Sequence, residues 1–169
     1  MNPFFRPIRL VLSLCVVLSA STQADSNNAF VSEAIGAGMA EIQTSQLALE
    51  KTQSPQVKAF AQQMIKDHTK ANQHLLDLAK QHGFSVPDDA ALTSKARKMM
   101  LQVQDGASFD AAYATHQVDA HEQAVRLFDE ESRSTSDPDD LRTFAKSTLA
   151  TLKHHLEMAK QLQNAHRKN

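Results

Sequence analysis

The chain has 169 residues, 41% of them hydrophobic, and a net charge of −1, which is typical of a single globular domain. This near-neutral charge argues against nucleic acid as the main partner. One tyrosine and no tryptophan leave little material for the aromatic surfaces that stack on sugars or bases.

The first 24 residues are predicted to be a secretory signal peptide. Arg6 and Arg9 precede an apolar run over residues 10–18, which is too short to span a bilayer. Small and polar residues follow the run and end at Ala24, where we expect cleavage.

The single cysteine supports this interpretation over a lipid anchor. Cys15 lies in the middle of the apolar run and follows Leu14, whereas a lipidated cysteine follows a small residue at the end of such a run. We therefore expect a mature domain over residues 25–169, periplasmic or secreted, with no disulfide and no transmembrane anchor after processing. Loss of two arginines leaves 16 basic and 19 acidic residues, a net charge of −3.

Strong helix formers dominate the mature chain, and glycine and proline are few. Ser54-Pro55 and Asp137-Pro138 have the residue types of a helix N-cap followed by a first turn, and Gly83 suits a left-handed C-terminal residue. A polar loop around Pro87 and a shorter helix over residues 93–104 should separate the second and third long helices. The four long helices are predicted at 28–52, 55–82, 108–132 and 138–165.

The two halves of the chain resemble each other around the two serine- or aspartate-proline turns. The segments after Ser54 and after Asp137 match once one residue is inserted, and Phe30 and Phe109 each open the preceding helix. Two helical hairpins joined by a long crossover with a short extra helix form the topology of ferritin-like bundles. The sequence therefore predicts an all-α, ferritin-like antiparallel four-helix bundle.

Each long helix places one ionisable side chain on its inner face when the apolar positions are read at heptad spacing. The apolar positions of the first helix are taken as Phe30, Ala34, Ala37, Thr44 and Ala48. The four ionisable residues are Glu41, His68, His121 and His155.

The heights of these residues along the bundle agree better in the first hairpin than in the second. The two residues of the first hairpin are expected nearly level, at ~1.5 Å per helical residue. In the second hairpin His155 is expected one to two turns deeper than His121. Thr151 should be level with His121, and His116 should be closer to the level of His155.

The sequence resembles the domain of unknown function 4142 family from about Phe30 to Ala159. This family is exported, bacterial and ferritin-like, so the resemblance implies the same fold and export, but it has no settled activity to carry over. The motifs that carry the resemblance are Met64-x-x-Asp67-His68, His121-x-x-Ala124-Val125-x-Leu127-Phe128 and Thr151-Leu152-x-x-His155-Leu156.

Two interpretations of the inner-face residues remain open. In the first, they form a polar layer in which Glu41 accepts hydrogen bonds from the histidines and Asp67 or Thr44 completes a network that sets helix register. In the second, the four residues bind a transition metal (Zn, Fe or Cu), because imidazole-rich sites disfavour Mg and Ca. Asp67, His116 and Met158 are expected near this site but outside its first ring of ligands.

No motif in the chain indicates an enzyme. There is no Glu-x-x-His segment of the kind that di-iron carboxylate proteins use, no glycine-rich phosphate loop and no nucleophile elbow. We therefore expect an exported binding or structural protein, with a metal ion or an envelope protein as the partner. The alternatives are a metal-dependent oxidase of ferritin-like descent and a structural envelope protein whose polar layer only sets register.

Overall fold

A computed structural model describes residues 28–86 and 106–167 of the chain. These parts contain four helices and no β-strand, which confirms the predicted all-α class and the four long helices. The signal peptide, the loop at Pro87 and the short helix predicted over residues 93–104 lie outside the described residues. The helices are α1 (Ala29–Lys51), α2 (Pro55–His82), α3 (Ala107–Glu131) and α4 (Asp139–His166).

Two of the three predicted helix-end signals are confirmed. The Ser54 side chain accepts a hydrogen bond from the Val57 amide at the start of α2, and Gly83 ends that helix with φ 67°. The predicted cap by Asp137 is wrong, because α4 has no side-chain cap and its N-cap residue is Pro138. The Asp137 carboxylate instead accepts hydrogen bonds from Ser134 and, at 2.7 Å, from Asn28.

The helices pack in two closely associated pairs. α1 makes its most extensive contacts with α2, and α3 with α4, while α1 also contacts α3 and α2 also contacts α4. Residues 52–54 connect the first pair and residues 132–138 the second. No helix in the described residues is long and apolar enough to cross a membrane.

The core consists of two apolar clusters, each built from all four helices. One cluster surrounds Leu47, Met64 and Phe109, and the other surrounds Phe30 and Phe128. Between them the helices place polar side chains that are nevertheless buried. The buried polar residues of this middle layer are Glu41, Thr44, Ser45, His68, Gln117, His121 and His155.

One predicted inner-face position of α1, Ala37, is wrong. Ala37 is exposed, whereas Gly36 and Gly38 on either side of it are buried. A Cβ atom added to Gly38 would overlap the side-chain amide of Asn72 on α2. The Asn72 amide of α2 therefore occupies the space that a side chain at position 38 of α1 would need.

Candidate metal centre

Three histidines from three helices meet in the buried middle layer. His68 of α2, His121 of α3 and His155 of α4 are 8%, 1% and 2% exposed. Their ring centroids are separated by 5.6 Å, 5.7 Å and 5.5 Å, so the rings form a nearly equilateral triangle. One potential ligand atom from each residue lies within 4.8 Å of the other two.

The imidazole of His155 is oriented by a partner on its outer side. Its Nε2 lies 2.9 Å from Oδ2 of Asp67, and the same carboxylate oxygen accepts a 2.6 Å hydrogen bond from Gln63. Asp67 can only accept when ionised, so Nε2 of His155 carries the proton. Nδ1 of His155 then has a free lone pair, and it is buried without a hydrogen-bond partner among the described residues.

His121 is oriented in the same way by its own helix. Its Nδ1 lies 2.8 Å from the Gln117 carbonyl oxygen, which can only accept, so Nδ1 carries the proton and Nε2 has the lone pair. Nε2 of His121 and Nε2 of His68 are both buried and unpartnered within the described parts of the chain. An outer hydrogen bond that fixes the tautomer is the usual arrangement of a metal-binding histidine.

Burial keeps all three imidazoles neutral at physiological pH. It lowers the pKa of His68 to about 3 and that of His121 to about 4, and the neighbouring histidines lower both values further. Burial also lowers the pKa of His155, although Asp67 acts in the opposite direction. The Asp67–His155 contact is therefore a neutral N–H donating to a carboxylate, and no proton has to leave the three lone pairs before a cation binds.

The size of the triangle suits a transition-metal ion. A tetrahedral ion with bonds of about 2.0–2.1 Å holds its nitrogen ligands roughly 3.4 Å apart. From separations of up to 4.8 Å, each ring would need to move inward by about 1 Å or less. Three imidazoles also leave a fourth coordination position open, as in zinc sites that exchange a ligand.

Glu41 lies beside the three histidines but outside their group. It is 4% exposed and lines the same cavity, yet it is not among the residues whose ligand atoms lie within 4.8 Å of one another. Burial raises the pKa of Glu41 to about 7, and the side-chain amide of Gln117 partly opposes this increase. Both polar atoms of that amide are buried without a partner in hydrogen-bonding geometry among the described residues. Oε2 of Glu41 is also unpartnered within the described residues.

Of the expected polar layer, the described residues form the Asp67–His155 hydrogen bond but none between Glu41 and the three histidines. Thr44 donates to the carbonyl groups of Ala40 and Glu41 in its own helix, and the inward-facing atoms of the layer have no partners among the described residues. An unpartnered buried polar atom costs about 1–3 kcal/mol. The unpartnered atoms are Oε2 of Glu41, Nε2 of His68, Nε2 of His121 and Nδ1 of His155.

The expected relative heights in α3 and α4 are wrong. His155 lies level with His121, and Thr151 is exposed at the cavity edge. The expectation came from counting residues from the ends of the two helices, which places His155 ~9 Å deeper in the bundle than His121. This count assumes that α4 starts at the height where α3 ends, and it ignores the distance that residues 132–138 cover between them. That connection lets α4 begin farther along the bundle axis.

The remaining expected neighbours fall on opposite sides of α4. His116 is half-buried and lines the cavity beside the histidines, with an unpartnered Nδ1 and a pKa lowered by burial. Met158 packs against the Leu47 cluster and lines a separate groove with His154 and Gln63. Met158 is therefore not among the residues that line the cavity of the three histidines.

A cavity of ≈560 Å³ adjoins the three histidines. All four helices line it, and its walls are made largely of alanine, glycine, leucine and phenylalanine. Ala124, Phe128, Phe144 and Leu152 lie on the side away from Glu41. The polar centre thus forms one part of a mostly apolar space inside the bundle.

Sequence reasoning missed the groups that orient the histidines. The role of the Gln117 carbonyl could not be predicted from the sequence, because every residue has a backbone carbonyl group. Gln63 could have been noticed from its spacing, since a glutamine four residues before Asp67 lies on the same helix face. The cavity could have been noticed from the three successive small residues Gly36-Ala37-Gly38, because such residues leave space beside the helix.

The fold and the site together define an all-helical, four-helix protein with a buried cluster of three histidines. The chain belongs to the family described as "Domain of unknown function (DUF4142)", whose family model matches residues 17–162, and this match confirms the resemblance. Comparisons with curated proteins and with solved structures found no match.

Proposed function

We propose that this protein binds a transition-metal ion through His68, His121 and His155. The observation that carries the proposal is that one ring nitrogen of each of three buried imidazoles, from three helices, lies within 4.8 Å of the other two, and that each ring has a buried nitrogen without a partner among the described residues. Burying these atoms without a ligand costs stability, and a metal ion would use all three lone pairs.

The chemistry of the ligands favours Zn²⁺ among the candidate ions. Zn²⁺ accepts three histidines with an exchangeable fourth ligand, whereas di-iron sites need several carboxylates. Glu41 lines the cavity but lies outside the 4.8 Å group, Asp67 is bonded to His155, and Met158 lines a different groove. Zn²⁺ is therefore the ion to test first, with Cu²⁺ and Fe²⁺ as competitors.

We also propose a ferritin-like topology of two antiparallel hairpins. Along α1 the Phe30 cluster comes first and the Leu47 cluster last, and this order reverses in α2, while α3 and α4 show the same reversal. The closest contacts are those within the two sequential helix pairs. Both observations support hairpins joined by a crossover.

The proposed compartment is the periplasm or the cell exterior. Support comes from the basic, apolar and small-residue pattern of residues 1–24. Export would place the histidine centre where it meets envelope metal ions directly.

The deciding experiment is metal analysis of the protein purified from the periplasm, followed by Zn²⁺ titration. We expect close to one ion per chain, with binding weakened at least 100-fold in His68→Ala and His155→Ala. His74→Ala in α2 and His154→Ala in α4 are matched controls, because both histidines are exposed and neither lines the histidine cavity.

Thermal unfolding provides the second measurement. Bound Zn²⁺ should raise the melting temperature of the wild type and of both controls, because a ligand that binds only the folded state stabilises it. Wild-type protein that neither carries metal nor takes up Zn²⁺, Cu²⁺ or Fe²⁺ would refute the proposal and leave the three histidines as a structural layer.

A further inference from the structure

The cavity beside the histidines is larger than a single ion requires. Its ≈560 Å³ lies within the roughly 300–1,000 Å³ range of small-molecule sites. The polar atoms without partners are concentrated at the end formed by Glu41 and the three histidines. Sites of this kind, apolar with a few convergent polar groups, typically bind a molecule whose polar end is fixed and whose body is apolar.

The lining of the cavity continues for about two helical turns beyond the histidines along three helices. Leu75 lies seven residues after His68, and Phe128 lies seven residues after His121. Thr148 lies seven residues before His155 and also lines the cavity. At about 1.5 Å per residue the cavity therefore extends roughly 10 Å from the centre, the length of a chain of about eight carbons.

The charge at the polar end selects the head group. Histidine binds a metal ion through the lone pair of a neutral imidazole, so three histidine ligands leave the positive charge of the ion uncompensated. Together with the ionised carboxylate of Asp67 at His155, a single further anionic oxygen group would balance a divalent ion and fill the open coordination position. A second anionic group would be left without a cationic partner, because the residues that line the cavity include no lysine or arginine.

We propose that the cavity binds an aliphatic monocarboxylate of medium length, with its carboxylate at the metal held by His68, His121 and His155 and its chain along Leu75, Phe128 and Thr148. The inference rests on the proposed metal function, since without the cation nothing at the histidine end would attract an anion.

Calorimetric titration of the Zn²⁺-loaded protein with octanoate and with acetate tests this inference, after excess zinc is removed and the zinc content is measured. The two anions share a head group, and each additional buried methylene increases affinity by about fourfold. We expect octanoate to bind at least about 100-fold more tightly than acetate. The metal-free protein should bind both weakly.

A matched pair of variants locates the chain of the ligand. Thr148→Leu adds volume inside the cavity and should weaken octanoate binding at least about tenfold, while the zinc content and the affinity for acetate stay as in the wild type. Thr143→Leu makes the same change on an exposed position of α4 that does not line the cavity, and it should alter nothing.

The possible failures are distinguishable. If zinc is retained and octanoate binds no better than acetate, or if the two threonine variants behave alike, the ligand inference is wrong and the metal function stands. If the wild type takes up none of Zn²⁺, Cu²⁺ and Fe²⁺, both are wrong.

Discussion

Oδ2 of Asp67 lies 2.9 Å from Nε2 of His155, and this contact joins the partly exposed face of α2 to a buried imidazole of α4. Hydrogen bonds from Gln63 and His155 hold the pKa of Asp67 below its ordinary value despite burial, which alone would raise it. The carboxylate therefore stays ionised and fixes the tautomer of His155 that presents Nδ1 to the centre.

Removing this carboxylate should weaken metal binding without abolishing it. We expect Asp67→Ala to reduce Zn²⁺ affinity about 10–100-fold, the usual effect of losing the group that orients a ligand. Asp67→Asn retains an accepting oxygen and should give an intermediate affinity. Competition with a chromophoric chelator measures all three proteins.

Asp77 provides the matched control for this prediction. It lies on the same helix and accepts a hydrogen bond from Gln73 just as Asp67 does from Gln63, but it is exposed and does not line the cavity. Asp77→Ala should bind Zn²⁺ like the wild type. Equal affinities for Asp67→Ala and Asp77→Ala would show that Asp67 does not orient His155.

The side-chain amide of Asn72 in α2 packs against Gly38 of α1. Replacing a helical glycine with alanine normally favours the helix by up to about 1 kcal/mol. Here the new Cβ would overlap the Asn72 amide, whose nitrogen donates to the Ile35 carbonyl at 3.3 Å. We therefore expect Gly38→Ala to destabilise the protein by about 1–3 kcal/mol in urea denaturation.

The double variant separates the overlap from other effects. Asn72→Ala alone should cost about 0.5–1.5 kcal/mol because the hydrogen bond is lost. In the double variant, Asn72→Ala removes the amide that the new Cβ of residue 38 would overlap. The double variant should therefore be more stable than Gly38→Ala alone. Strict additivity of the two single effects would contradict this account.

The inward positions of the three histidines follow from local rules, whereas their relation to one another does not. Heptad spacing on helices of strong helix formers places His68, His121 and His155 inside, and all three are buried. Whether His121 and His155 are level depends on the path of residues 132–138, and no local pattern determines that path. Similarly, the bond from Asp67 to His155 depends on how α2 and α4 are rotated against each other.

Asn28 should stabilise the protein through two separate hydrogen bonds. Its Oδ1 accepts from the Val31 amide at 2.9 Å as the N-cap of α1, and its Nδ2 donates to Asp137 at 2.7 Å. We expect Asn28→Ala to lose both and to lower the free energy of unfolding by about 1–3 kcal/mol. Asn28→Ser keeps a capping oxygen and should lose only the bond to Asp137.

Chemical denaturation of the two variants tests this division. Ser54→Ala is the comparison for a cap alone, because the Ser54 hydroxyl caps α2 in the same way. If Asn28→Ser is as unstable as Asn28→Ala, the cap contributes nothing measurable and the cross-link to Asp137 accounts for the whole effect.

Glu131 should make stability decrease as the pH rises through neutrality. The residue is 6% exposed at the end of α3, and burial raises its pKa from 4.5 to about 7; the charge of Asp137 adds to this effect and that of Arg142 opposes it. A carboxyl group with a raised pKa in the folded state binds its proton more tightly there than in the unfolded chain. Its contribution is therefore complete below about pH 4.5 and is lost as the pH rises through about 7.

Glu131→Gln should remove this part of the pH dependence, because the amide resembles the protonated acid. Relative to wild type, its melting temperature should improve steadily from pH 5 to pH 8. The pKa of Glu41 is also raised, but that residue is present in both proteins, so the difference between them isolates Glu131. Glu130→Gln changes the exposed neighbouring position and should follow the wild-type curve of melting temperature against pH. Parallel curves for all three proteins would mean that Glu131 is ionised in the folded state at neutral pH.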